Sequence, residues 1–143
     1  MAATYHLLFE LYPWFFFVGA FMIGSVMGSF LNVVIARVPL KLSVVSPASH
    51  CFSCKAPIKG IDNIPVLSYF ILKGKCRHCQ QSYSIRYAAI EFATGLVTAI
   101  VSSVVYFDTH AFLPSMGAAV IVWVIITLAG LSESRKNSEA SDH

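Results

Sequence analysis

Three long apolar stretches alternate with polar segments along the chain, and their lengths decide the fold class. The first covers residues 11–36 and holds no charged side chain. The second, 87–107, holds one, Glu91, and the third covers 111–131. Crossing the ~30 Å hydrocarbon core of a bilayer takes ~20 helical residues, so each stretch is long enough. A helix in a soluble domain keeps a polar face toward water, whereas one that is apolar all round is buried in a large core or in lipid. The pattern therefore predicts an all-α integral membrane protein with three transmembrane helices. It divides the chain into an N-terminal segment and first span (1–36), one large loop (37–86), two spans (87–131) and a polar tail (132–143). The tail has no apolar period and is expected to be disordered. A cleavable signal peptide is not expected, because the start carries His6 and Glu10 rather than basic residues and the apolar stretch is too long.

Composition supports the membrane reading. Of the 143 residues, 57% are hydrophobic and 12% charged, against ~25% charged in soluble domains. The net charge of +3 matters less than where it lies. Eight of the ten Lys and Arg residues fall between Arg37 and Arg86, and the other two are Arg135 and Lys136. Short loops rich in Lys and Arg stay on the cytoplasmic side. That rule predicts a cytoplasmic loop, an N-terminus outside, an outer turn near Asp108 and His110, and a tail inside. Membrane lipid is an expected partner and nucleic acid is not.

The basic loop also holds all four cysteines, as Cys51-Phe-Ser-Cys54 and Cys76-Arg-His-Cys79. Two C-x2-C pairs at about this separation are a strong zinc signal. Zinc at a structural site takes a closed tetrahedral shell, and two knuckles supply four thiolates to Cys51, Cys54, Cys76 and Cys79 positions around it. Such a shell leaves no open position, so a structural role is expected rather than a catalytic one. Lys55, Lys59, Lys73, Lys75 and Arg77 lie close in sequence to offset the charge. Disulfides, an iron centre and a redox pair are the competing readings of the same residues; the predicted reducing compartment disfavours the first. His50 and His78 flank the cysteines and read as surface residues. Between the knuckles, Asp62 or Asn63 is placed to cap a short helix, with Pro65 in its first turn and Gly74 at its end. Ile64, Leu67, Phe70 and Ile71 would then share one face, against the spans or on the membrane surface.

In the first span, Gly24, Ser25, Gly28 and Ser29 form small-x3-small tracks that let helices approach closely. Asn32 is expected to bond a neighbouring helix, and Arg37 to reach the headgroups. An ionisable residue within a span is a functional candidate, which singles out Glu91. Its place beside Arg86 and Tyr87 also lets it reach water or an arginine. Asp62, Arg86 and Glu91 are the candidate functional residues outside the metal set.

Several of these segments resemble the type IV prepilin leader peptidase family. The resemblance rests on Gly28-Ser29-Phe30-Leu31-Asn32-Val33-Val34-Ile35 followed by Arg37-Val38-Pro39, on both cysteine pairs, and on Asp62-Asn63-Ile64-Pro65. Gly74-Lys75-Cys76-Arg77-His78-Cys79 and Ser84-Ile85-Arg86-Tyr87 with Glu91 continue it in order, over roughly residues 15–100. Ala36 and Ala88 depart from the residues usual there. The resemblance implies an inner-membrane enzyme that removes the leader of type IV prepilins and type II secretion pseudopilins and N-methylates the new terminus. It also implies a zinc-held cysteine loop linked with methyl transfer from S-adenosylmethionine.

Proteolysis in that family uses two aspartates, one of them in Gly-x-Gly-Asp. The aspartates here are Asp62, Asp108 and Asp142, and no Gly-x-Gly-Asp occurs. Where the first catalytic aspartate is expected stands Gly130-Leu131-Ser132-Glu133-Ser134. Two carboxylates sharing a proton are what such chemistry requires. The expectation is a truncated N-terminal region without catalytic aspartates and without protease activity, retaining part of the methyl-transfer region. The alternative is a non-catalytic, membrane-held zinc module that binds a pilin or an assembly partner.

Overall fold

The computed structural model describes Leu7 and residues 11–46 and 48–141, with side chains to residue 135. His6, Glu10, Asp142 and His143 of the sequence reading lie outside the described residues. Among the described residues four α-helices are bounded: α1 (Pro13–Arg37), the short α2 (Leu67–Ile71), α3 (Arg86–Thr109) and α4 (Phe112–Ser141). A 3-10 turn, Gly60–Asn63, precedes α2. Among the described residues the only β pairing is two isolated bridges, so the fold is all-α as expected. Among the described residues three helices are long and apolar enough to cross a membrane: Pro13–Arg37, Arg86–Thr109 and Phe112–Arg135.

The helix ends follow local chemistry. Pro13 opens α1, where its missing N–H costs nothing, and Pro39 lies just past its end. His110 closes α3 in the left-handed region, its N–H bonded to Tyr106 O at 2.7 Å. Only His110 and Ala111 separate α3 from α4. The backbone of α4 continues through Ser141, unlike the disordered tail expected from residue 132. No Gly or Pro follows Gly130, and Ala, Ser, Glu, Arg and Lys sustain a helix that is already nucleated.

The three long helices pack with mostly polar and small residues inside, Phe16, Leu31 and Tyr106 aside, and most large apolar ones outside. Thr94, Thr98 and Ser115 are 1–2% exposed, while Leu113 is 80% exposed and Met22 63%. This inversion is what lipid as a solvent selects, since tails compete for apolar side chains as well as another helix does. The α1–α3 seam is built on backbone proximity. A methyl added at Gly28 would stand 2.9 Å from Glu91 Cα, and one at Gly24 would stand 2.9 Å from Gly95 Cα. The predicted small-residue track is thus a contact surface. Asn32 Nδ2 bonds Tyr87 O across the seam at 3.2 Å, as expected. Trp123 Nε1 of α4 donates to Thr98 Oγ1 at 3.0 Å, a link the sequence reading did not predict. At the end of the bundle away from the large loop, Phe16 stacks on Tyr106 with centroids 4.5 Å apart.

Candidate metal centre

Each cysteine pair sits on a tight turn, and the two turns repeat one another. In the first, Cys51 O accepts from Lys55 N (2.9 Å) and Cys51 N donates to Ala56 O (2.9 Å). In the second, Cys76 O accepts from Gln80 N (3.0 Å) and Cys76 N donates to Gln81 O (2.9 Å). The residue after each second cysteine is left-handed, with φ +58° at Lys55 and +58° at Gln80. Single bridges, His50 with Pro57 and Lys75 with Ser82, close the two hairpins. The left-handed residue folds the chain back so that both sulfurs of a knuckle face one point.

The two points coincide. Cys51 Sγ lies 3.7 Å from Cys79 Sγ, Cys54 Sγ lies 4.0 Å from Cys76 Sγ, and all four sulfurs lie within 4.8 Å of one another. Four sulfurs set ~2.3 Å from a central ion at tetrahedral angles stand ~3.8 Å apart. The observed spacing fits such an ion. Among the described residues these four form the one cluster of His, Cys, Asp or Glu side chains grouped tightly enough to hold a metal. All four cysteines are free of disulfides.

Electrostatics in the cage run the same way. The backbone N–H groups of Cys54 and Ser53 draw the Cys51 thiol down to about 6. At Cys79 the Gln81 N–H pulls downward too, but partial burial and the three neighbouring sulfurs prevail and hold it up at about 11. Cys51 thus forms a thiolate readily, whereas Cys79 across the cage resists further charge. A divalent cation relieves that repulsion, and it is what the donor set accepts.

The surrounding candidates have distinct roles. Asp62, on the 3-10 turn, takes a two-pronged ion pair from Arg77, whose Nε lies 3.0 and 2.9 Å from its two oxygens. The Arg77 guanidinium holds the Asp62 carboxyl below the ordinary carboxylate range. The pair ties the linker to the second knuckle, and it removes Asp62 from the helix-capping role expected of it. The helix predicted from residue 62 or 63 to Gly74 is correspondingly shorter, Leu67–Ile71. Pro65-Val66-Leu67 interrupts it: Val66 has φ +63° and ψ −54°, and Leu67 N bonds Pro65 O at 2.6 Å. That is a γ-turn of the rare, strained hand.

Glu91 explains how the strain is held. Its Oε2 accepts the Val66 N–H at 2.8 Å. It therefore engages the loop backbone, not Arg86. Arg86 is exposed at the start of α3, its N–H bonded to Ser84 Oγ at 3.2 Å. Gly74 ends the linker with φ +66°, and a side chain there would stand 2.9 Å from the ring of Tyr69. Tyr69 meets Tyr83 edge-on at 5.5 Å. Burial first, then the nearby charge of Glu91, pushes the Tyr83 hydroxyl upward. Neither Val66 nor Tyr83 stood out in the sequence. His78 is exposed, and His50 Nδ1 donates to Ala48 O at 3.0 Å. Arg37 Nη1 donates to Ser43 O at 2.9 Å.

Comparison with known proteins brings the pieces under one heading. No solved structure matches the chain. A prepilin leader peptidase/N-methyltransferase of Aeromonas salmonicida (strain A449) is 34% identical over 141 residues, covering 81% of this chain and 47% of that protein. One of the same name from Myxococcus xanthus is 48% identical over 82 residues, covering 57% of this chain and 24% of that protein. A type 4 prepilin-like proteins leader peptide-processing enzyme of Escherichia coli O78:H11 is 39% identical over 115 residues, covering 68% of this chain and 43% of that protein. The chain thus spans half or less of the length of these curated relatives. Residues 22–105, which contain the α1–α3 seam, both knuckles and Glu91, match the model of the bacterial peptidase A24 N-terminal domain, and the chain belongs to that family.

Proposed function

We propose that this chain is the zinc-held N-terminal region of a prepilin leader peptidase/N-methyltransferase, that it does not cleave leaders by itself, and that any activity it has lies in methyl transfer. The four-sulfur cage within the family match carries this reading. Zinc suits the donor set, because soft thiolates at tetrahedral spacing favour it over hard cations. It would be held by Cys51, Cys54, Cys76 and Cys79 and would supply structure, since no fifth donor or open face for a substrate is needed. Peptide cleavage by an aspartic mechanism needs a carboxylate pair. Asp62 is committed to Arg77, and Asp108 lies at the opposite end of α3 from Arg86.

The chain lies in the inner membrane in this reading, with the basic loop facing the cytoplasm and the N-terminus outside, an orientation that the Lys and Arg distribution supports. A reducing compartment keeps the four thiols available to metal. Prepilins or pseudopilins are the partners, and S-adenosylmethionine is the methyl donor. No residue is assigned to the donor.

The test uses the purified chain in phospholipid vesicles, given an intact prepilin peptide, a processed pilin peptide and labelled S-adenosylmethionine. The expected result is stoichiometric zinc, no cleavage of the first peptide, and label on the second. Cleavage of the intact peptide overturns the proposal. Binding of the processed peptide without label assigns the chain instead to a non-catalytic zinc module, which the closed sulfur shell would equally suit.

A further inference from the structure

The linker between the knuckles leaves a row of large apolar side chains uncovered. Leu67 is 57% exposed, Phe70 66% and Ile71 65%, with Ile64 at 40% three residues earlier. Leu67, Phe70 and Ile71 share one side of α2, and Ile64 lies just before the γ-turn that opens it. Ser68, Tyr69 and Leu72 are half-buried on the other side. An apolar row of this kind in a water-exposed loop would be unfavourable unless something covers it.

Where the linker touches the bundle says what covers it. Val66 N–H is bonded to Glu91, which lies five residues into α3, ~7.5 Å along the helix from its start at Arg86. Asn63 and Pro65 line a cleft with Ser29, Phe30 and Val33 of α1. Ser29 and Phe30 stand eight and seven residues before Arg37, ~10–12 Å along α1 from its end. The linker thus dips beside the ends of the spanning helices instead of standing off in solvent. At about that depth the neighbouring outer surfaces of α1 and α3 are apolar and uncovered, with Phe30 47% and Phe92 48% exposed. The apolar row on α2 continues that surface. Lys59 and Lys73 sit exposed on either side of the segment, where their stems can run along apolar surface and their ammonium groups reach headgroups.

The geometry points to α2 as a membrane-embedded element: Leu67, Phe70 and Ile71, with Ile64, insert among the lipids of the loop-side leaflet, and Glu91 pins the segment there through the Val66 amide. Glu91 is a positioning residue in this arrangement. Its carboxylate gives the strained γ-turn its acceptor, and Gly28 lets the backbone of α1 close over it. The occupant of the apolar face is the bilayer itself, which also surrounds the rest of the bundle.

The experiment places benzoylphenylalanine at Phe70, an exposed position, in the metal-loaded chain. The chain is reconstituted in vesicles of phosphatidylethanolamine and phosphatidylglycerol, irradiated, and its adducts are weighed by mass spectrometry. The expected product is a phospholipid adduct at Phe70, in several-fold higher yield than with the probe at His78, whose knuckle presents charged and polar side chains. Equal lipid yield at both sites overturns the proposal, as does a product joining Phe70 to a second copy of the chain. Glu91→Ala in the Phe70-probe protein should cut the lipid adduct several-fold with the metal still bound. Glu91→Gln, which keeps an oxygen acceptor for Val66 N–H, should preserve it. An unchanged yield in Glu91→Ala removes the pinning role.

Discussion

The helical bundle and the cysteine loop solve opposite problems. The bundle is surrounded by apolar solvent and has its polar groups inside, so it gains nothing from further greasiness and is held by close backbone approach. The loop is basic, with most of its apolar side chains exposed, among them Phe52 at 76% and Ile61 at 65%. It has almost no core. Its order comes from four sulfurs, the left-handed residues that fold its turns, the Asp62–Arg77 ion pair and the Val66–Glu91 bond. The lesson is that stability in this chain is local in kind: removing atoms harms the loop, whereas adding atoms harms the bundle.

The largest effect should come from the sulfurs. Cys54→Ser, or a strong chelator, should release the metal and unfold residues 49–83, because metal bound to such knuckles stabilises folding by ~10–16 kcal/mol at neutral pH. Metal content and proteolysis of the loop would report this, and helical circular dichroism from the spans should persist. If the spans unfold as well, the two regions are not separate.

Next comes the seam. Gly95→Leu adds a side chain where even a methyl would stand 2.9 Å from Phe21 O. Forced overpacking of this kind costs ~1–3 kcal/mol, which detergent unfolding would register while metal content stays full. A smaller change is expected at the ion pair. Asp62→Asn should weaken metal retention on the order of tenfold, the lower end for groups that orient a metal's ligands. Arg77 keeps the Asp62 carboxyl below its ordinary value. Its contribution is therefore complete above ~4 and is lost only as pH falls through the depressed value. The gap between variant and parent should accordingly stay constant from pH ~6 to ~8. The smallest effect belongs to Trp123→Phe, which deletes the bond to Thr98. Hydrogen bonds between membrane helices average ~0.6 kcal/mol, so a loss well above that would mean the bundle relies on polar links more than on packing.

Much of this was legible in the chain because its signals are strong and local. The three spans follow from length and hydropathy, and the cage follows from two C-x2-C pairs whose spacing allows few geometries. Gly24 and Gly28 announced the seam. What sequence could not give was anything set by competition between partners. Asp62 is a sound helix cap until Arg77 takes both its oxygens. Val66 is a good strand or helix residue until Glu91 claims its amide, and a β-branched residue with positive φ has no signature to read. Trp123 did carry a clue, since a buried indole N–H seeks an acceptor, but which of the many hydroxyls on α3 would supply it depends on helix rotation.

The two-residue turn between α3 and α4 bears on how the protein is made. With His110 and Ala111 as the whole connection, neither helix can settle in the bilayer without the other already beside it. The pair would leave the ribosome as a single helical hairpin and enter the membrane in one step, with Asp108 and His110 at its tip. A nascent chain halted before α4 has emerged would then hold α3 unpartnered on that side, with Ser102 lacking the Ser115 carbonyl it bonds in the pair, and should be a ready target for quality-control proteases.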